Sequence, residues 1–178
     1  MKFFINSLTI CRVVFAPLIF CLILIFQSYS LALFALASIT DFLDGYLARK
    51  YKLTSTLGEI LDPIADKILV LFLIIAISIH LSSSFVGICG SLILAREFWV
   101  GALRDLNARK NNSAATKVTL IAKFKTTSPL MTFSSYLLAL TINSSLGIFV
   151  SHFFLFLTLV ITLQTGLSYT INTLKTIK

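Results

Sequence analysis

Six long apolar runs constrain the fold of this sequence more than any other feature. A helix needs about 20 largely apolar residues to cross the hydrocarbon of a bilayer. The runs that meet this requirement lie at roughly 10–27, 31–50, 58–80, 84–106, 118–142 and 146–171. Residues 1–9 precede them and are expected to form a short interfacial segment. The sequence therefore predicts an all-α integral membrane protein, with six transmembrane helices and a single membrane domain over residues 1–178.

Composition favours lipid, rather than water, as the solvent of this chain. Hydrophobic residues make up 57% of it and charged residues 12%, whereas soluble domains are about 25% charged. The net charge of +8 would suggest a nucleic-acid partner in a soluble protein, but membrane topology explains it better here. The three cysteines form no C-x-x-C pair, so neither a disulfide framework nor a zinc site is expected.

The distribution of basic residues predicts the orientation of the six helices. All fifteen Lys and Arg residues lie near the termini or around the second and fourth connections. The other three connections, around residues 28–30, 80–84 and 143–147, carry none. Because short cytoplasmic loops are enriched in Lys and Arg, both termini are predicted to be cytoplasmic. We expect a multi-pass protein of the inner, cytoplasmic cell membrane.

Four aspartates fall within 26 residues of predicted membrane helix. A carboxylate near the middle of a span costs about 2.5–3.5 kcal/mol on insertion scales, so four together require compensation. At helical spacing, Asp41 and Asp44 share one face of the second helix, and Asp62 and Asp66 share one face of the third. The short linker makes these helices antiparallel neighbours. The four carboxylates are therefore predicted to surround one small volume near the cytoplasmic end of the bundle.

Crowded carboxylates suit a hard divalent cation such as Mg²⁺ or Mn²⁺. Two such cations about 3.5–4 Å apart can clamp a diphosphate. Gly45 and Ala48 leave room on the same face, and Arg49 offers a bidentate donor to phosphate. The alternative is that the aspartates are solvated, or paired with Lys50, Lys52 and Lys67.

The pattern from Asp41 to Asp66 reads D-x-x-D-G-x-x-A-R, then eight residues, then G-x-x-x-D-x-x-x-D. It resembles the signature of the CDP-alcohol phosphotransferases at every fixed position. The resemblance implies transfer of a phosphoalcohol group from a CDP-linked lipid to an acceptor hydroxyl. It also implies a homodimer among membrane lipids and two Mg²⁺ or Mn²⁺ ions per site.

The resemblance further implies a role for each motif residue. The metal ligands would be Asp41, Asp44, Asp62 and Asp66. Asp66 would also be the catalytic base that deprotonates the acceptor hydroxyl. The CDP-binding residues would be Asp44, Gly45, Ala48, Arg49 and Gly58.

Other segments resemble the branch of this family that makes phosphatidylglycerophosphate. They are Asn6, Thr9 and Arg12 at spacings of three, Asp62–Lys67, Ala95–Glu97, Ala102–Asp105 and Lys123–Thr127. This resemblance implies CDP-diacylglycerol as donor, glycerol 3-phosphate as acceptor and CMP as product. A dianionic acceptor requires basic groups, and the candidates are Arg96, Arg104, Lys123 and Lys125. Glu97 is expected to orient or pair with a neighbouring base.

Three other readings stay open. Serine, inositol phosphate or phosphatidylglycerol are alternative acceptors for the same chemistry. A divalent cation transporter would also carry intramembrane acids, although such sites usually lie at the midplane between repeated halves, and this sequence shows no repeat. A catalytically inactive scaffold is the third reading, against which the intact motif argues.

Overall fold

The computed structural model describes residues 2–51, 56–109 and 120–177, with side chains for residues 10–40, 43, 61–109 and 128–175. Every regular element in these ranges is an α-helix. The six helices are α1 (Lys2–Ile25), α2 (Gln27–Tyr51), α3 (Thr56–His80), α4 (Ser84–Arg109), α5 (Leu120–Thr141) and α6 (Ser145–Ile177). The all-α class and the number of helices are thus confirmed over the described part of the chain, whereas the crossing of a membrane by all six stays a prediction.

The connection between α1 and α2 is shorter than the sequence predicts. Residues 28–30 were expected to link the first two runs, but they are helical, and Phe26 alone separates α1 from α2. The amides of Tyr29 and Ser30 donate to the Phe26 carbonyl, and the Ser30 hydroxyl donates to the Gln27 carbonyl. A serine whose hydroxyl bonds to a carbonyl three residues earlier permits a helical turn where a loop was expected.

The turns that follow α3 and α5 are each three residues long and contain one left-handed residue. Ser82 has a φ of 47° and Asn143 a φ of 50°. Asparagine tolerates this conformation better than most residues because its side chain bonds locally. Ser144 then caps α6, since its hydroxyl accepts a hydrogen bond from the Gly147 amide at 3.1 Å. Tight turns of this kind make α3 and α4, and likewise α5 and α6, antiparallel neighbours.

Packing between helices encloses one apolar core. Helix α1 packs on α2 and α3, α4 on α3 and α6, and α5 on α2 and α6. Ile19, Leu73, Ile77 and Leu137 are completely buried in this core. Gly90 allows α4 to approach α3 closely, because a Cβ at this position would lie 2.5 Å from Ile74 Cγ2.

The outer faces of the bundle are apolar. Leu146, Phe149 and Phe153 of α6 are each more than half exposed, which in a water-soluble protein would form an unusually large apolar surface. Three described segments are long and apolar enough to cross a membrane: Leu61–His80, Ser84–Arg109 and Ser145–Lys175. A shorter apolar helical segment covers Ile10–Ile25. These features support an integral membrane protein.

Candidate active site

Of the four predicted metal ligands, the structure describes the side chains of Asp62 and Asp66. They lie four residues apart on α3, one helical turn from each other. The backbone places Asp41 and Asp44 on α2, as predicted, but their side chains lie outside the described residues. For Gly45, Ala48, Arg49 and Gly58, too, only the helical backbone is described, on α2 and α3. The convergence of the four carboxylates therefore stays a prediction.

Asp66 is held by an ion pair with α1. Arg12 Nη1 donates to Asp66 Oδ1 at 2.8 Å. The Arg12 side chain is 1% exposed, whereas that of Asp66 is 56% exposed. A buried guanidinium requires an acceptor, and Arg12 orients one carboxylate oxygen of the partly exposed Asp66. The predicted base is therefore both fixed and accessible.

Asp66 lies in the wall of a cleft of about 460 Å³ that reaches into the bundle. The cleft has two zones. One is charged, and it is lined by Arg12, Asp66, Lys67, Glu97 and Arg104. The other is largely apolar, with contributions from α2, α3, α4 and α5, and it includes Phe34, Leu73, Ile93, Leu94 and Phe133. A cavity with charged groups in one zone and apolar side chains in the other fits an amphiphile with an anionic head.

The charged zone has an excess of positive groups, three cations against two carboxylates among its described lining residues. Aromatic rings flank two of the cations. Lys67 Nζ lies 4.7 Å from the centre of the Phe98 ring, and Arg104 Cζ lies 5.5 Å from that of Tyr169. Such contacts restrict a long basic side chain without neutralising its charge. The zone therefore retains positive charge for an anionic ligand.

The structure separates the predicted acceptor-binding residues. Arg104 is exposed and lines the cleft. Arg96 is 5% exposed and does not line it; Arg96 Nη1 donates to Glu97 Oε1 at 2.9 Å, and Glu97 does line it. The expectation that Glu97 pairs with a neighbouring base is thus confirmed. The backbone places Lys123 and Lys125 on α5, and their side chains lie outside the described residues.

The interface between α4 and α6 contains polar contacts that the sequence did not predict. Arg96 Nη2 donates to Thr165 Oγ1 at 2.5 Å, Trp99 Nε1 to Thr170 Oγ1 at 3.0 Å, and Asn107 Nδ2 to Thr173 Oγ1 at 2.9 Å. Hydrogen bonds between side chains are a usual means of joining helices in lipid, where apolar burial gives little driving force. They fix α4, and with it Arg96, Glu97 and Arg104, relative to α6.

Sequence reasoning also gave Arg12 no place in the site. One sequence feature could have indicated its role: Arg12 is a charged residue inside an apolar run, where an ionisable side chain requires a nearby partner. The two histidines make contacts with residues that do not line the cleft. His80 is within 3.0 Å of Gln27, and His152 stacks on Phe85. His80 ends α3, some four helical turns beyond Asp66.

Comparison with known proteins identifies the family of this chain. A profile of the CDP-alcohol phosphatidyltransferases matches residues 4–164. Several curated relatives are named CDP-diacylglycerol–glycerol-3-phosphate 3-phosphatidyltransferase. One from Rickettsia typhi is 44% identical over 127 residues, or 68% of this chain and 68% of its own length. One from Escherichia coli K12 is 34% identical over 128 residues, or 70% of each chain.

A third relative of that name, from Cereibacter sphaeroides, is 39% identical over 132 residues. The match covers 71% of this chain but only 59% of that relative's length. Each match covers about two thirds of this chain, and the profile matches nearly all of it. The chain therefore belongs to the CDP-alcohol phosphatidyltransferase family.

Proposed function

We propose that this protein transfers a phosphatidyl group from CDP-diacylglycerol to glycerol 3-phosphate, giving phosphatidylglycerophosphate and CMP. The observation that carries the proposal is the position of Asp66, fixed by Arg12 in the wall of a cleft with a charged and an apolar zone. Family membership and the names of the relatives support the same reaction. The activity belongs to phospholipid biosynthesis.

The chemistry follows from the charged zone of the cleft. An acceptor hydroxyl oxygen bonds to the phosphorus nearest the lipid, and the bond from that phosphorus to the CMP oxygen breaks. Asp66 takes the hydroxyl proton as general base, a role that requires it to be accessible and within hydrogen-bond reach. Arg12 holds the carboxylate in place for that transfer. CMP leaves with the electron pair of the broken bond.

Divalent cations fit the donor set of this site. Asp62 and Asp66 present carboxylate oxygens one turn apart on α3, and such oxygens are the ligands that Mg²⁺ and Mn²⁺ prefer. Two ions would be held by Asp41, Asp44, Asp62 and Asp66. CDP would be bound by Asp44, Gly45, Ala48, Arg49 and Gly58. When bound, the ions supply positive charge to the diphosphate and to the leaving CMP.

The acceptor's phosphate would meet the basic residues at the cleft. Arg104 lines it directly. Arg96 would act on the acceptor through Glu97, because its buried guanidinium donates to Glu97 and Thr165 and only Glu97 lines the cleft. Lys123 and Lys125 complete the proposed acceptor set. A set of four basic residues suits a dianionic acceptor better than a neutral one such as inositol.

We further propose the arrangement of the protein in the membrane. The six helices cross the inner, cytoplasmic membrane, and residues 1–9 lie in the interface. Both termini and the aspartates are on the cytoplasmic side, in keeping with the charge distribution of the connections. The donor's acyl chains remain in lipid while its headgroup enters the cleft. Two copies form a homodimer.

The test is CMP release by purified protein in mixed micelles containing CDP-diacylglycerol and Mg²⁺. Glycerol 3-phosphate, serine, inositol, inositol 1-phosphate and phosphatidylglycerol are added one at a time. We expect release with glycerol 3-phosphate alone, with phosphatidylglycerophosphate as the lipid product. Release with another acceptor overturns the proposed acceptor but keeps the reaction. No release with any acceptor, from folded protein supplied with metal, overturns the transferase function itself.

A further inference from the structure

One face of α6 contacts two basic residues of α4. Thr165, Gly166 and Tyr169 form this face, which we call the α6 ledge. Thr165 accepts a hydrogen bond from Arg96, Gly166 lies against the Arg96 side chain, and the Tyr169 ring faces Arg104. The family profile ends at residue 164, so the match assigns nothing to the ledge.

The Thr165 hydroxyl is set up to accept from Arg96. Its own proton is directed to the backbone of α6, where the carbonyls of Ile161 and Thr162 each lie 2.9 Å from Oγ1. A lone pair of the oxygen is therefore left for the Arg96 guanidinium at 2.5 Å. Because both residues are buried, this charge-assisted bond is protected from competing water.

Gly166 is required by the close approach of Arg96. A Cβ at residue 166 would lie 2.9 Å from Arg96 Cγ and 3.0 Å from Arg96 Nε. Both distances are shorter than ordinary van der Waals contact, so any larger residue displaces the Arg96 side chain. Together, Gly166 and Thr165 determine the path of the Arg96 side chain and the position of its guanidinium.

The effect of the ledge reaches the cleft through Arg96. Its guanidinium contacts Thr165 on one side and Glu97 on the other, and Glu97 lines the charged zone. Residues adjacent in a helix do not normally face each other, so an Arg96 held by α6 is what brings this pair together. Tyr169 restricts Arg104, which lines the same zone.

We propose that Thr165, Gly166 and Tyr169 are positioning residues for the acceptor end of the site. They hold Arg96 and Arg104 so that the basic groups and Glu97 keep a fixed arrangement around the acceptor's phosphate. This inference rests on the proposed function. It predicts that substitutions in the α6 ledge raise the KM for glycerol 3-phosphate and leave the KM for CDP-diacylglycerol unchanged.

The decisive variants are Thr165→Val, Thr165→Ser and Thr162→Val. Valine matches threonine in shape and removes the acceptor, whereas serine keeps it. Thr162 is a matched control, because it is also buried on α6 and its hydroxyl donates to the Leu159 carbonyl of its own helix. KM is measured for each substrate with the other at saturation, and thermal unfolding in detergent shows that each variant is folded.

We expect Thr165→Val to raise the KM for glycerol 3-phosphate about tenfold, as for loss of one hydrogen bond to a charged group. The KM for CDP-diacylglycerol stays at the wild-type value, as do both values for Thr165→Ser and Thr162→Val. Gly166→Ala raises the acceptor KM in the same selective way. Tyr169→Leu does so too, whereas Tyr169→Phe keeps the ring beside Arg104 and stays near wild type.

A double-mutant cycle distinguishes positioning from a general effect on α6. If Thr165 acts through Arg96, adding Thr165→Val to Arg96→Ala produces no further rise in the acceptor KM. Additive effects overturn the proposal, as does a Thr165→Val variant with an unchanged acceptor KM or with equal changes for both substrates. A wild-type enzyme that does not use glycerol 3-phosphate contradicts the proposed function instead, and that result is obtained before any variant is made.

Discussion

Arg12 and Asp66 form an ion pair across 54 residues of sequence, with Arg12 Nη1 2.8 Å from Asp66 Oδ1. The pair joins the buried side of α1 to the open face of α3. Arg12 lies outside the aspartate motif, yet it sets the position of the motif's last carboxylate. The first helix therefore contributes directly to the candidate site.

Asp66→Asn is expected to abolish turnover while leaving the fold and donor binding intact. The asparagine carbonyl still accepts a hydrogen bond from Arg12, but it cannot take up the acceptor's proton. Loss of a general base lowers kcat by about 10²–10⁴-fold. CMP release measures turnover, and retention of the protein on immobilised CDP measures donor binding. Asp105→Asn, at an exposed position on α4, is the control and should keep wild-type turnover.

Arg12→Leu is expected to lower turnover by roughly tenfold, since Asp66 loses a charge-assisted hydrogen bond. Removing one partner of an ion pair is costly when the other charge stays buried, but the Asp66 side chain is 56% exposed, so the variant should unfold near the wild-type temperature. Arg12→Lys keeps the charge and should retain more activity than leucine. Turnover equal to wild type in the leucine variant would show that the ion pair does not support Asp66.

Removal of divalent ions is expected to stop the reaction. The carboxylates of Asp62 and Asp66 would then face the donor's diphosphate with no intervening positive charge. CMP release should fall to background in EDTA and recover with excess Mg²⁺ or Mn²⁺. Asp62→Asn should raise the metal concentration needed for half-maximal rate, whereas Asp105→Asn should not. Full activity in EDTA would contradict the proposed metal site.

The helices were predictable because apolar runs of membrane length leave little choice of secondary structure. The positions at which the helices begin and end were harder to predict. The turn at Phe26 depends on hydrogen bonds that Ser30 donates to the carbonyls of Phe26 and Gln27, and serine is equally suited to a loop. The predicted link at residues 28–30 was wrong for this reason.

The site was predictable where spacing along one helix determines which residues share a face, as for Asp62 and Asp66. Contacts between helices were not. The partners of Arg12 and Arg96 lie 54 and 69 residues away, and no periodicity in the sequence links them. Thr165 and Tyr169 of α6 are buried, whereas the adjacent Gln164 and Ser168 are exposed.

Arg104→Ala is expected to raise the KM for glycerol 3-phosphate more than the KM for CDP-diacylglycerol. Arg104 lines the charged zone beside Tyr169, and a charged hydrogen bond to phosphate is worth about 1.5–3 kcal/mol, or roughly 10–100-fold. Arg109→Ala, at the exposed end of the same helix, is the control for loss of positive charge. Equal effects on both substrates, or an equal effect of the two variants, would remove Arg104 from the acceptor site.

Gly90→Ala tests the packing that keeps α4 against α3. An added Cβ would lie 2.5 Å from Ile74 Cγ2 and 2.7 Å from Ile74 Cγ1, and Ile74 is buried. Overpacking of this kind costs about 1–3 kcal/mol, so the unfolding temperature in detergent should fall.

Two further variants show whether the clash with Ile74 is the cause. Gly101→Ala lies on the same helix, where the added Cβ would meet only the flexible end of Lys67 at 3.4 Å, and it should be neutral or slightly stabilising because alanine favours helix over glycine. Ile74→Ala in the Gly90→Ala background removes the clashing atoms. The double variant should therefore be more stable than the sum of the two single changes predicts. If the stability losses of the two single changes simply add, the destabilisation caused by Gly90→Ala does not come from the clash with Ile74.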